Sequence, residues 1–269
     1  MSQETTVKSN MLSRIFAMLV IPVAFVVSLL IYNYILGDGA NFVDGKPENN
    51  PLPGNYLGVV HKGGPIVPVL MTTLLVVLIF SVERFLTIWK AKGRGNVAVF
   101  VKSIQAKLVS DDVNGALELC DKQKGSVANV VRSGLEKYAE MAKDNSFVKE
   151  QKVMAIQKEV EESTSLELPM LQKNLQIIST IAPLGTLIGL LGTVLGMIRA
   201  FAALATAGAP DAVALSTGIS EALINTALGI GTSAVAIVVY NFFTNRIDTL
   251  TYGIDEAGYS ISQTFAAKH

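Results

Sequence analysis

The residues able to do chemistry in this chain are few, and they gather in two short stretches. Thr193 interrupts GLLGTVLGM (Gly189–Met197), Arg199 follows closely, and Glu221, Asn225 and Thr226 lie in GISEALINTALGI (Gly218–Ile230). Hydroxyls and a carboxamide both donate and accept hydrogen bonds without titrating near neutral pH, so they suit the wall of a wet path. A carboxylate and a guanidinium among apolar neighbours suit an ion pair or a step on an ion pathway. Nothing here suits bond-making chemistry. The two histidines are His61 and His269, Cys120 is the only cysteine, and HExxH, GxSxG and GxxxxGK[ST] are all missing. The expectation is a protein that is not an enzyme, with no metal site and no cofactor.

The elements that must position these residues are long and apolar. Four runs contain no Asp, Glu, Lys or Arg: Ile15–Leu36, Pro65–Val82, Leu175–Ile198 and Ala222–Asn245. Each meets the ~18–20 residues that a helix needs to cross a bilayer core. The first is longer than a signal-peptide core of ~7–15 residues and no small-x-small cleavage pattern follows it, so it reads as a retained helix. With 22 basic and 22 acidic side chains the chain is neutral overall, which gives no reason to expect nucleic acid as a partner. More than half of those charges fall between Lys92 and Lys173. The expected fold is therefore all-α: a polytopic membrane protein with four transmembrane helices and a helical cytoplasmic domain.

Basic residues set the orientation. Lys8 and Arg14 precede the first run, Lys90, Lys92 and Arg94 follow the second, and the connection Ala205–Leu215 has none. By the positive-inside rule both termini and the charged block are cytoplasmic. The expected layout is a cytoplasmic tail over 1–14, a first span over 15–36, a periplasmic loop over 37–64 and a second span over 65–90. A cytoplasmic helical domain over 91–174 follows, then a third span over 175–204, a periplasmic turn over 205–215, a fourth span over 216–245 and a cytoplasmic tail over 246–269. The loop GDGANFVDGKPENNPLPGN reads as irregular turns. In the charged block Asp111-Asp112 is expected to cap one helix and Asp144-Asn145-Ser146 another, which runs over Phe147–Gln172 and kinks at Pro169 as it continues into the membrane. Cys120 is expected to pack as a small apolar residue.

The third and fourth runs, paired antiparallel about a turn near Ala209-Pro210, explain the spacing of the opening residues. At about 100° per residue, Gly185, Gly189, Gly192 and Gly196 fall within about 60° of one another, a stripe that lets two membrane helices touch backbone to backbone. Thr186 and Thr193 form a separate row. Thr193 lies 17 residues before position 210 and Thr226 lies 16 after it, so at ~1.5 Å per residue they reach one depth, about 25 Å from the turn. Arg199 and Glu221 are each 11 residues from the same point, which makes them an expected ion pair, within the chain or across subunits. That pair either marks a pathway or only fixes the hairpin. Each threonine either lines an interior or returns its hydroxyl to the carbonyl four residues back.

At these residues the sequence resembles a known family. GLLGTVLGMIRAF, GISEALINTALGI and the trailing YNFFTNRID, with VERF at Val82–Phe85, are similar to the MotA/TolQ/ExbB proton-channel family, most of all to its ExbB/TolQ branch. Four spans exceed the three usual in that branch, and the spacing from Pro183 to Gly189 places Thr186 where the family has proline. The resemblance implies a homopentamer whose last two spans surround a central pore. Inside would sit the helices of an ExbD-like single-span partner carrying an intramembrane Asp, and a TonB-like transducer would receive the work. It also implies that Thr193 and Thr226 line the proton path, and Glu221 and Asn225 are expected to line it with them. The function implied is a stator subunit that uses the proton gradient to energise outer-membrane uptake. The alternatives are a MotA-like or TolQ-like stator, for motility or envelope maintenance, and less readily a self-contained secondary transporter.

Overall fold

Backbone polar groups inside a bilayer must be satisfied within the segment itself, and each long apolar run here answers with a helix. The computed structural model describes residues 18–205 and 212–268. Lys8 and Arg14, the turn near Ala209-Pro210 and His269 lie outside the described residues. The apolar helices are α1 (Met18–Leu36), α3 (Val67–Lys92), α8 (Leu175–Ala205) and α9 (Ala212–Lys268). Between them lie α2 (Tyr56–His61), α4 (Val97–Val109), α5 (Val113–Gln123), α6 (Ser126–Lys143) and α7 (Lys149–Gln172). The described residues contain no strand, only an isolated bridge between Phe42 and Pro51.

The chain divides into two units. One comprises the chain up to Val82 together with Asn174–Tyr240, and the other Glu83–Lys173 with Asn241–His269. In the first unit the usual burial pattern is inverted. Leu187, Leu190, Leu191, Val194, Ile198 and Phe201 of α8 face outward, while Gly185, Gly189, Gly192, Gly196 and Ala200 are buried. A helix that hides its small residues and presents leucines outward is suited to lipid or to neighbouring helices. The connection after α1 is more ordered than turn-rich composition suggests. Asn41 donates to the carbonyls of Ile35 (2.7 Å) and Leu36 (3.1 Å), Asn55 caps α2 through Gly58 N–H (3.0 Å), and the Asn55 amide donates to Asn41 Oδ1 (2.9 Å).

The second unit has an ordinary soluble core. Val127, Val130, Val131, Leu135, Tyr138 and Met141 recur at helical spacing along α6 and pack inward with Phe100, Ile104 and Leu108 of α4. Cys120 is buried among them, and burial pushes its thiol up to about 12, so it stays protonated and packs as an apolar group. Helix α9 does not stop at Asn245. Ile247, Leu250, Ile254, Ala257, Ile261 and Phe265 follow a three–four repeat and are all buried, with Phe265 edge-on to Tyr138 at 4.9 Å between ring centroids. The segment expected as a tail is therefore the last helix of this core.

Two local expectations are corrected. Asp112 caps α5, accepting from Gly115 N–H at 2.8 Å, but Asp144 does not cap α7. It accepts from Ser146 N–H (2.8 Å) in a local turn, and α7 begins only after Val148, whose N–H donates to Gln151 Oε1 (3.2 Å). Pro169 sits inside α7 without ending it. The break comes at Lys173-Asn174, where Asn174 takes φ 63°, a left-handed conformation that asparagine tolerates better than most residues.

Candidate functional site

Helices α8 and α9 meet through glycine. A Cβ on Gly229 would lie 2.6 Å from the Gly185 carbonyl oxygen and 2.8 Å from the Gly189 Cα, and one on Gly196 would lie 2.8 Å from Ala222 N. No side chain fits there, so the two backbones touch along this seam. The close approach brings short polar side chains within reach of each other at three levels.

At the first level the Arg199 guanidinium pairs with the Glu221 carboxylate through Nη1 and Oε1. At the second the hydroxyls of Thr193 and Thr226 hydrogen-bond to each other. At the third, Thr186 Oγ1 donates to Ser233 Oγ at 2.8 Å. The positions on α8, 186, 193 and 199, climb by about two turns per level, and those on α9, 233, 226 and 221, descend to match, as an antiparallel pair requires. The threonines also keep local contacts. Thr193 Oγ1 lies 3.1 Å from Gly189 O and 3.4 Å from Ala222 O, and Thr226 Oγ1 lies 3.2 Å from Ala222 O. Two hydroxyls hold two protons, one of which joins the pair. The other is left for a backbone carbonyl, that of Gly189 or Ala222.

Asn225 faces elsewhere. It is fully buried, its Nδ2 donates to Gly63 O at 2.8 Å, and its Cβ and carboxamide close over Gly192. Its side chain is a tie between α9 and the turn ahead of α3, not a member of the threonine row. Its Oδ1 is buried without a hydrogen-bond partner. The same turn reaches the ion pair. Gly64 has φ 75°, and any Cβ there would meet the Glu221 carboxylate, so the chain can pass this point only as glycine. Beside it, His61 stacks on Tyr32 (ring centroids 4.5 Å apart, planes 16° apart), and burial, then the Lys62 ammonium, holds its imidazole below the usual histidine range.

All the residues singled out from the sequence are thus located. Gly185, Gly189, Gly192 and Gly196 are buried in the seam, Thr193 meets Thr226, Arg199 meets Glu221, and Asn225 turns to Gly63. Three features were missed. Thr186 was expected in one row with Thr193, but its contact with Ser233 was not. Gly64 gave only a Gly-Gly signal. Arg84, buried in the second unit, pairs with Glu83 and donates to the carbonyl of Leu171 (3.1 Å) at the end of α7. Arg84 is the arginine of VERF, but a charged residue in that motif carried no hint of its burial.

The comparisons with known proteins bear on this same region. The family model for the MotA/TolQ/ExbB proton channel family matches residues 122–256. The biopolymer transport protein ExbB of Pseudomonas putida is 27% identical over 213 residues, covering 71% of this chain and 60% of the relative. The Tol-Pal system protein TolQ of Haemophilus influenzae is 25% identical over 210 residues, covering 75% of this chain and 91% of the relative. An ExbB-like biopolymer transport protein of Synechocystis is 36% identical over 86 residues, covering 31% of this chain and 41% of the relative. The chain thus spans between 41% and 60% of the length of several of these relatives. The matched half of the sequence contains all three polar levels, and with relatives named ExbB and TolQ it shows that the chain belongs to the MotA/TolQ/ExbB proton channel family, on its ExbB/TolQ side.

Proposed function

We propose that this chain is the pore-wall subunit of an inner-membrane motor driven by the proton gradient, and that Thr193 and Thr226 line its proton path. The observation that carries the reading is the mutual hydrogen bond of those two hydroxyls inside paired apolar helices. A hydroxyl pair holds and orients protons but does not carry charge. The titrating group must then come from another chain, an ExbD-like single-span partner with an Asp at that depth. Ionised, that Asp is costly in an apolar interior and needs donors. The second hydroxyl proton of the pair supplies one by leaving its backbone carbonyl. Protonated, the Asp no longer needs it and its helix is released to move on. Five copies around a central pore, with both termini cytoplasmic, present five such pairs in turn. Glu221 and Arg199 sit nearer the outer end, at the entrance to this path.

The work is passed to a TonB-like transducer for outer-membrane uptake in an ExbB-like system. The alternative is TolQ-like envelope maintenance, favoured by the long match to the Haemophilus TolQ. Thr226→Val keeps the shape and removes the hydroxyl. We expect the complex to assemble at normal yield while proton-dependent uptake, or envelope integrity in the TolQ-like case, drops to the level of a deletion strain. Normal activity in that variant rejects the pore-lining role.

A further inference from the structure

A second site lies in the charged unit, away from the polar levels. Helices α3 and α9 leave their apolar runs at Val82 and Asn245, and within a few residues along each they flank a cavity of 460 Å³. Its floor is apolar and buried, formed by Ile88, Val97 and Phe243 among others. Its mouth carries Trp89, 67% exposed, and the exposed ring of Phe242. Two cations line it, Lys92 and Arg246, against one carboxylate, Glu256. The Arg246 guanidinium stands 5.2 Å from the Phe242 ring centroid, which holds the charge at the rim instead of letting it extend into water.

We propose that this cavity binds an anionic phospholipid of the adjoining leaflet, its acyl chain against Trp89 and Phe242 and its phosphodiester between Lys92 and Arg246. The position favours it, because an aromatic ring and basic side chains just past an apolar run are where a bilayer changes from chain to headgroup. The volume suits a headgroup and the first methylenes of a chain. The net charge of the lining is one positive, so the anionic headgroup is preferred over the zwitterionic one. The inference rests on α3 and α9 crossing the membrane and not on what the motor drives.

Trp89 is the only tryptophan, so its emission reads the cavity directly. Full-length protein is reconstituted in vesicles containing either phosphatidylglycerol or phosphatidylcholine with brominated chains, which quench tryptophan on contact. Brominated phosphatidylglycerol should reach half-maximal quenching at about fivefold lower mole fraction, the effect of roughly one surface charge. In the double variant Lys92→Gln/Arg246→Gln, whose lining keeps only the Glu256 carboxylate, the ratio should fall to one or below, with quenching by brominated phosphatidylcholine unchanged as the sign that the fold is kept. Inorganic phosphate added to phosphatidylcholine vesicles should leave the emission as it was. Equal quenching by both lipids in the natural chain overturns the proposal, as does a preference that survives the double variant or a phosphate response equal to that of the lipid. Quenching by neither lipid, with full access to iodide, removes the membrane placement itself and leaves the hydroxyl levels to be judged separately.

Discussion

Arg199 and Glu221 are not equivalent halves of their pair. The Glu221 side chain is 7% exposed and that of Arg199 is 51% exposed. Removing the arginine strands a buried carboxylate, whereas removing the carboxylate leaves a guanidinium that water can reach. Arg199→Ala should therefore cost more stability than Glu221→Gln, with a difference on the order of 2 kcal/mol, since breaking a buried pair costs ~3–5 kcal/mol and this one is partly open. Thermal unfolding of the purified protein in detergent measures it, and equal losses would show that burial does not decide the pair's contribution. The types and depths of these residues were legible because helix rise is constant, so equal counts from a turn mean equal heights. The buried orientation of Asn225 was not. It depends on Gly63, 162 positions away, whose carbonyl lies 2.8 Å from its amide.

At the scale of the element, the glycine seam makes a sharp prediction. Gly229 faces the α8 backbone, while Gly231, two residues on, has open space around a built Cβ. Gly229→Ala should destabilise by about 1–3 kcal/mol through forced separation of the helices. Gly231→Ala should be neutral or stabilising by up to about 1 kcal/mol, from the helix propensity of alanine alone. Detergent thermal scans of the two variants side by side decide it, and equal losses would mean that propensity and not contact sets the cost. The spans themselves were legible from uncharged length. The continuation of α9 was hidden by Arg246 and Asp248, which mark the end of an apolar run but do not break a helix. The buried repeat from Ile247 to Phe265 was present in the sequence, but at a period of soluble packing that a search for long uncharged runs passes over.

For the whole molecule, the outward leucines of α8 and the hydroxyl levels both point to neighbours that one chain does not contain. Co-expressed with a single-span protein of the ExbD-like kind proposed above and purified as a complex, the protein should show a native mass of five copies of this chain with two of that partner. A stable single copy that still conducts protons would remove the central-pore reading. By itself the sequence determined the helical class, the four apolar helices and the family, because uncharged length and short motifs are local properties of a chain. Only the tertiary structure decided which polar groups touch. It set the hydroxyls of Thr193 and Thr226 together, turned Asn225 away from them, placed Gly64 against Glu221 and buried Arg84 under α7. Those choices depend on how closely two backbones approach and at what rotation. That is fixed jointly by many glycine and side-chain contacts, and no single stretch of sequence contains it.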